Sequence, residues 1–357
     1  MVKFDIGVPW LLAICSLLSP CLAQAQEPVA DRRVPLNGIE VPMSAYASAE
    51  AKALFAQRLA ARATANPGSN IEQWRAFYDR FNQDKVERMR KLFAVRTSEQ
   101  HFDGVLADVA EPAEGIAREN RKRVLINLHG GAFLWGARSG ALAEAIPIAA
   151  VGKVKVVSVD YRQGPEHVFP AASEDVETVY RALLREYKPE DIGIYGCSAG
   201  GYLTAQATAR LISKRLPLPG AIGTFCGSMV APDGDSYYFA AAMDGDKVPA
   251  APRSVSEYPY FKGADLADPL VFPGNTPAYV AKFPPTLLIS GTRDFALSSV
   301  LRSHGLLVAA GVEAELHVWD GMWHAFFVDP QLPESQQAYA VIWRFFDRHL
   351  GMKRPRR

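Results

Sequence analysis

The sequence has none of the common metal or phosphate signatures: no H-E-x-x-H, no Cys/His cluster and no Walker loop. Nothing in it calls for a metal or other cofactor. Cysteine is scarce, with 4 in 357 residues, and Cys15 and Cys21 fall within the first 25. Only Cys197 and Cys226 remain for the body of the protein. They end two predicted strands that are consecutive in sequence, so neighbouring strands would allow a disulfide. Two buried free thiols are the preferred reading, because bridge geometry is narrow. An excess of charge of one sign is also missing: 39 Lys and Arg face 38 Asp and Glu. That balance gives no ground for a nucleic-acid or membrane-surface partner, and the basic end Lys353-Arg354-Pro355-Arg356-Arg357 is too short to change this. There is no internal repeat and no low-complexity tract.

What is present is an ordinary globular composition, 49% hydrophobic and 22% charged, long enough for one large domain or a domain plus a cap. Lys3 precedes an apolar run from Ile6 to Ala23, and Ala23-Gln24-Ala25 resembles a signal-peptidase site. Residues 1–25 are therefore expected to be a signal peptide, cleaved on export to the periplasm or beyond. Leu18-Ser19-Pro20-Cys21 fits a lipoprotein site poorly, because proline precedes the cysteine.

Residues 26–93 read as an N-terminal arm followed by two cap helices, Ala45 to Ala65 and Ile71 to Phe93. The second carries Trp74, Phe77, Tyr78, Phe81, Met89 and Leu92 at helical spacing. Residues 94–357 read as the main domain. A hairpin turns at Asp103-Gly104. Strands then alternate with helices: Arg123 to Leu128, Val154 to Val159, Ile192 to Tyr195, Ala221 to Phe225, Thr286 to Ser290 and Glu315 to Trp319. Such alternation predicts an α/β fold, a mostly parallel sheet with helices on both faces. Residues 227–283 interrupt the rhythm with Pro, Gly, Asp and Tyr, and read as a cap-forming insertion.

The centre of the pattern is Gly196-Cys197-Ser198-Ala199-Gly200-Gly201, between an apolar strand and an Ala-rich helix. G-x-S-x-G in that context is a nucleophile elbow, where small neighbours let a strained serine project from the sheet. A serine hydroxyl needs a base, and the base needs an orienting acid. Asp294 and His324 follow the next two strands in the order Ser, Asp, His expected of such a sheet. Asp320 is the rival acid but lies too near His324 in the chain. His304, His317 and His349 read as structural. His129-Gly130-Gly131-Ala132, also after a strand, could present Gly130 and Gly131 amides to an oxyanion, with Ala199 as third donor.

These motifs, with Asp160-Tyr161-Arg162, Pro165-Glu166-His167, Phe169-Pro170-Ala171-Ala172 and Asp268-Pro269-Leu270, resemble the hormone-sensitive-lipase-like family of α/β-hydrolase carboxylesterases. The resemblance spans about residues 103–350 and implies an α/β-hydrolase fold with a helical cap. It implies Ser198 as nucleophile, His324 as base, Asp294 as acid, and Gly130, Gly131 and Ala199 as oxyanion donors. Cys197 departs from it, since the family usually has aspartate there, and so does Gln163-Gly164. Asp160, Arg162 and Glu166 are expected to be scaffold that holds the oxyanion loop. Phe133, Trp135, Tyr202, Trp323 and Phe326 flank the motifs and are candidates to line substrate pockets, with core packing the alternative for each. The expected activity is hydrolysis of small short- to medium-chain esters, with an amide or formamide hydrolase or a non-catalytic binder as alternatives. A homodimer is compatible with all of these.

Overall fold

The turn Asp103-Gly104 has positive φ at both residues, 48° and 92°, the geometry whose twist suits a two-residue hairpin. It joins β1 (Val95–Phe102) to β2 (Val105–Pro112) in antiparallel register, Phe102 opposite Val105. The computed structural model describes residues 40–243, 248 and 254–352, and from Pro42 onward they belong to one compact unit. The expected signal peptide and the basic C-terminal run lie outside the described residues.

β2 pairs antiparallel with β4 (Lys155–Val159). From there every pairing is parallel, through β3 (Val124–Leu128), β5 (Ile192–Cys197), β6 (Ala221–Phe225), β7 (Thr286–Arg293) and β8 (Ala314–Trp323). The order is β1-β2-β4-β3-β5-β6-β7-β8, an eight-stranded sheet. β3, β5 and β6 are buried along their whole length, as expected of strands covered on both faces. β8 runs four residues beyond the expected Trp319, because its pairing with β7 resumes past an irregularity and sets Arg293 opposite Trp323.

Nine helices are described: α1 (Ala49–Thr64), α2 (Ile71–Leu92), α3 (Ser139–Gly152), α4 (Ala171–Leu183), α5 (Ala199–Ser213), α6 (Asp235–Met243), α7 (Pro277–Val280), α8 (Leu297–Ala309) and α9 (Pro333–His349). Strand side chains alternate between two cores. Ile126 and Leu128 pack with Val176 of α4, Leu203 of α5 and Val300 of α8. Leu125 points the other way, to a core with Phe55 of α1, Ile148 of α3 and Phe346 of α9. The layering is thus helix, sheet, helix. Residues 227–283 hold α6, α7 and short 3₁₀ turns, and residues 244–247 and 249–253 within them lie outside the described set.

α2 starts on Asn70, whose side chain accepts the Gln73 amide at 2.8 Å, and lies along α3. Its Trp74 and Tyr78 rings meet Trp135 at 5.4 and 4.5 Å between centroids, so the aromatic stripe is a packing face. Further along, Lys85 pairs with Asp329, and both are buried. A buried pair is worth little against an apolar substitute, but removing one partner strands the other charge. Lys85→Ala is expected to cost about 3 kcal/mol of unfolding free energy. Urea titration checks this, and a loss under about 1 kcal/mol would show that the pair does not anchor α2.

Candidate active site

At the end of β5 the chain turns sharply and enters α5. Gly196 and Gly200 flank the turn. A Cβ on Gly200 would lie 1.7 Å from the Leu128 carbonyl oxygen, and one on Gly196 2.2 Å from the same atom. The close approach of α5 to β3 therefore forbids any side chain at either position. Between them Ser198 takes φ 57° and ψ −120°, a conformation that a non-glycine residue holds only under constraint. The strain projects its hydroxyl from the carboxyl end of the sheet.

The Ser198 hydroxyl lies 2.8 Å from Nε2 of His324, and Nδ1 of the same ring lies 2.7 Å from Oδ1 of Asp294. An ionised carboxylate only accepts, so Nδ1 carries the proton and Nε2 accepts from the serine. Asp294 is fully buried and also accepts from the Ala296 amide at 2.9 Å and the Ser290 hydroxyl at 2.8 Å. Burial alone would raise its pKa. The electrostatic interaction and hydrogen bond with His324, and the Ala296 and Ser290 bonds, outweigh burial and hold it below the ordinary aspartate value. The rival Asp320 faces away from this relay, accepting from Ser44 and from Thr292 Oγ1. Phe295 stacks on the His324 ring at 4.4 Å, with Tyr237 at its edge.

The loop after β3 differs in one respect from expectation. The Gly130 N–H is already committed, donating at 2.8 Å to Oε1 of Glu144. Gly131, Ala132 and Ala199 have amides with no partner among the described residues. Gly131, Ala132 and Phe133 all have positive φ, at 121°, 54° and 59°, so the loop turns tightly here. The open donors are therefore Gly131, Ala132 and Ala199, with Gly130 serving as a tether. His129 is wholly buried, donates Nδ1–H to the Gly130 carbonyl at 2.7 Å and stacks on Tyr161. Burial pushes its pKa down to about 4, so it is a neutral brace.

Glu144 and Arg75 are the residues that motif reading missed. Glu144, on the otherwise apolar α3, also accepts from Asn127 Nδ2 at 3.1 Å. A lone acid in an Ala-rich helix was the available signal. Burial raises its pKa to about 8, despite the lowering effect of the Gly130, Asn127 and Cys197 contacts. Arg75 of α2 donates to the Leu134 and Gly164 carbonyls at 2.8 Å and to both Glu166 oxygens at 2.7 Å. Glu166 thus supports the loop through Arg75. Arg162 turns to Asp175 and Glu174 of α4 instead of the loop.

The expected pocket aromatics divide. Phe133 is buried in a stack with Tyr260, and Trp323 and Phe326 are buried in the core beside Phe55 and Trp319 respectively. These three are packing residues, because inward-facing apolar positions beside a motif serve the core first. Trp135 is half-buried against α2, on a cleft of about 620 Å³ that neither Ser198 nor His324 lines. Tyr202 is half-buried one helical turn after Ser198, with its hydroxyl 3.3 Å from Ser299 Oγ.

Cys197 and Cys226 do end neighbouring strands, Cys197 lying opposite Phe225, yet both are free buried thiols. Among the described residues, Cys226, Asp294 and His324 bring three ligand-type atoms within 4.8 Å of one another. Burial holds the Cys226 thiol protonated, and the other two are bonded to each other, so this is not the donor set of a metal centre.

A parallel sheet with a serine elbow, an adjacent His-Asp pair and an amide-lined loop defines an α/β hydrolase. The model of the alpha/beta hydrolase fold matches residues 125–328. Carboxylesterase/phospholipase LipF of Mycobacterium tuberculosis is 30% identical over 250 residues, 65% of this chain and 64% of LipF. The chain thus spans just under two thirds of that relative's length. Esterase LipU of the same organism is 32% identical, over 67% of this chain and 81% of LipU. Among solved structures, esterase E25 superposes with a TM-score of 0.76 at 32% identity, covering 89% of this chain and 99% of that one. An esterase of the bacterial hormone-sensitive lipase family gives 0.74 at 27%, covering 85% and 100%. The chain belongs to the hormone-sensitive-lipase-like family of α/β hydrolases.

Because Glu144 holds its proton to about pH 8 in the folded protein, against an ordinary value of 4.5, unfolding releases that proton between those limits. Stability contributed by this group is complete below the lower value and is lost as pH rises through the upper one. Glu144→Gln removes the titration. The unfolding free energy of the native protein relative to this variant should fall as pH goes from 5 to 9, as read by urea titration. A pH-independent difference would mean that Glu144 is not protonated in the fold.

Proposed function

We propose that this chain is a serine carboxylesterase that hydrolyses small short- to medium-chain acyl esters through an acyl-enzyme. The observation that carries the reading is the unbroken relay from the Ser198 hydroxyl to His324 Nε2 and from Nδ1 to Asp294. In this reading Ser198 attacks the ester carbonyl as His324 takes its proton. Asp294 holds the ring in the required tautomer and stabilises the imidazolium. The oxyanion settles on the open amides of Gly131, Ala132 and Ala199, where each donor is worth about 3 kcal/mol in the transition state. His324 then protonates the departing alcohol, and water repeats the sequence on the acyl-enzyme.

Ester hydrolysis is favoured over amide or formamide hydrolysis by the names of LipF, LipU and E25, all given as esterases. A non-catalytic binder would have no use for a complete relay. Half-buried Tyr202, Phe295 and Tyr237 are proposed as the aromatic rim that meets substrate. Export after removal of residues 1–25 is proposed on the apolar run and the Ala23-Gln24-Ala25 site alone.

Ser198→Ala should keep the fold and lose turnover of p-nitrophenyl acetate and butyrate, and a fluorophosphonate probe should label native protein but not this variant. Unchanged turnover in the variant would end the assignment. Asp294→Asn should lower kcat by roughly 10⁴, with the fold retained.

A further inference from the structure

We propose that Glu144 is a positioning residue: from α3 its buried carboxyl holds the Gly130 amide and so fixes the oxyanion loop against the nucleophile elbow. The inference rests on the esterase reading of Ser198. It starts from the Gly130 N–H, which donates to Oε1 of Glu144 at 2.8 Å and is thereby turned away from the reacting centre. The other carboxyl oxygen, Oε2, takes the Asn127 amide at 3.1 Å, and Asn127 is fixed in turn by the Ser158 hydroxyl at 2.6 Å. Residues of three elements, β4, β3 and α3, thus link in a chain of hydrogen bonds that ends on Gly130 of the oxyanion loop. The Cys197 amide, just before the nucleophile, faces the same carboxyl. One side chain therefore bonds the loop with the open amides and has its pKa lowered by the Cys197 backbone beside the serine.

The distance between those halves sets where the oxyanion lies, and a misplacement of about 1 Å can cost a hundredfold in rate. A Cβ on Gly130 would lie 3.1 Å from the Cys197 carbonyl oxygen and 3.3 Å from the Ser198 Cβ, so the loop runs close beside the elbow. Losing the tether frees the Gly130 amide to rotate and take its neighbours with it.

Charge matters as well. The titratable groups facing Glu144 are Tyr195 and Cys197 of β5, Tyr161 after β4, Tyr339 of α9 across a small cavity, and nearby His129 of the loop. Burial holds the tyrosines and the thiol protonated, Cys197 at about 11, and keeps His129 neutral down to about 4. Glu144 is the group among these that changes charge near pH 8. Its ionised form places a negative charge one peptide behind the developing oxyanion, in a region of low polarity, and opposes it.

The test is steady-state hydrolysis of p-nitrophenyl butyrate, corrected for spontaneous breakdown, from pH 6 to 9.5, with sites counted by fluorophosphonate titration. Glu144→Ala should lower kcat between tenfold and about a hundredfold, with KM within about threefold. Glu144→Gln, which still accepts from Gly130, should recover most of kcat at pH 7. The native protein should lose kcat above about pH 8, and the Gln variant should lack that loss. A kcat in the Ala variant equal to native, an effect confined to KM, or the same alkaline fall in the Gln variant would overturn the proposal. Should the Ala variant not fold, the pH profile of the Gln variant decides. Ser198→Ala, run alongside, separates the two readings. Its retained turnover would sink the esterase assignment, whereas its inactivity with kinetically native Glu144 variants would sink only the role of Glu144.

Discussion

The site depends on how closely the amino end of α5 approaches β3. Two glycines, Gly196 and Gly200, let the Leu128 carbonyl come within a distance that no side chain would allow. That approach forces the backbone at Ser198 into a strained turn, and the strain aims the hydroxyl. It also leaves the first amide of α5, at Ala199, without a partner at the positive end of the helix dipole. A nucleophile and an oxyanion donor thus arise from one packing constraint.

Topology supplies the rest. β5 lies between β3 and β6 in a run of parallel strands, so the segments that follow their carboxyl ends open on one crevice. The oxyanion loop follows β3, the serine follows β5, the acid ends at Asp294 just after β7, and the base follows β8. α2 braces this arrangement from outside. Arg75 near its start grips the oxyanion loop at Leu134, and Lys85, near its middle, pairs with Asp329, five residues past the base. A single helix therefore spans the two loops whose separation must stay fixed.

Much of this could be read from residue order. The hairpin at Asp103-Gly104, the alternating strands and helices, and the serine, acid and base each have a local signature: a turn dipeptide, a hydrophobic period or a strand-end motif. The supporting contacts have none. Arg75 reaches Leu134 across 59 residues and Lys85 reaches Asp329 across 244, distances over which no local pattern operates. Phe133, Trp323 and Phe326 show the opposite failure. Proximity to a motif suggested a pocket, but aromatic rings beside a rigid motif are what hold it rigid, and all three are core.

Cys197 shows why the supporting contacts should be sought in space. Residue 197 usually carries an acid in this family, and its replacement by cysteine reads in sequence as a missing charge beside the elbow. In the fold a carboxyl approaches the elbow from α3: Glu144 accepts from Gly130, and the Cys197 backbone lowers its pKa. The thiol, buried against Cys226, contributes volume and no charge. An acid on α3 can hold the loop after β3 directly, as Glu144 does at the Gly130 amide. Its burial carries a constraint too: a carboxyl enclosed by tyrosines and aliphatic side chains is easier to protonate than to ionise. The oxyanion loop is consequently tied down by an acid that stays neutral at the pH where the opposite charge state would oppose the chemistry beside it.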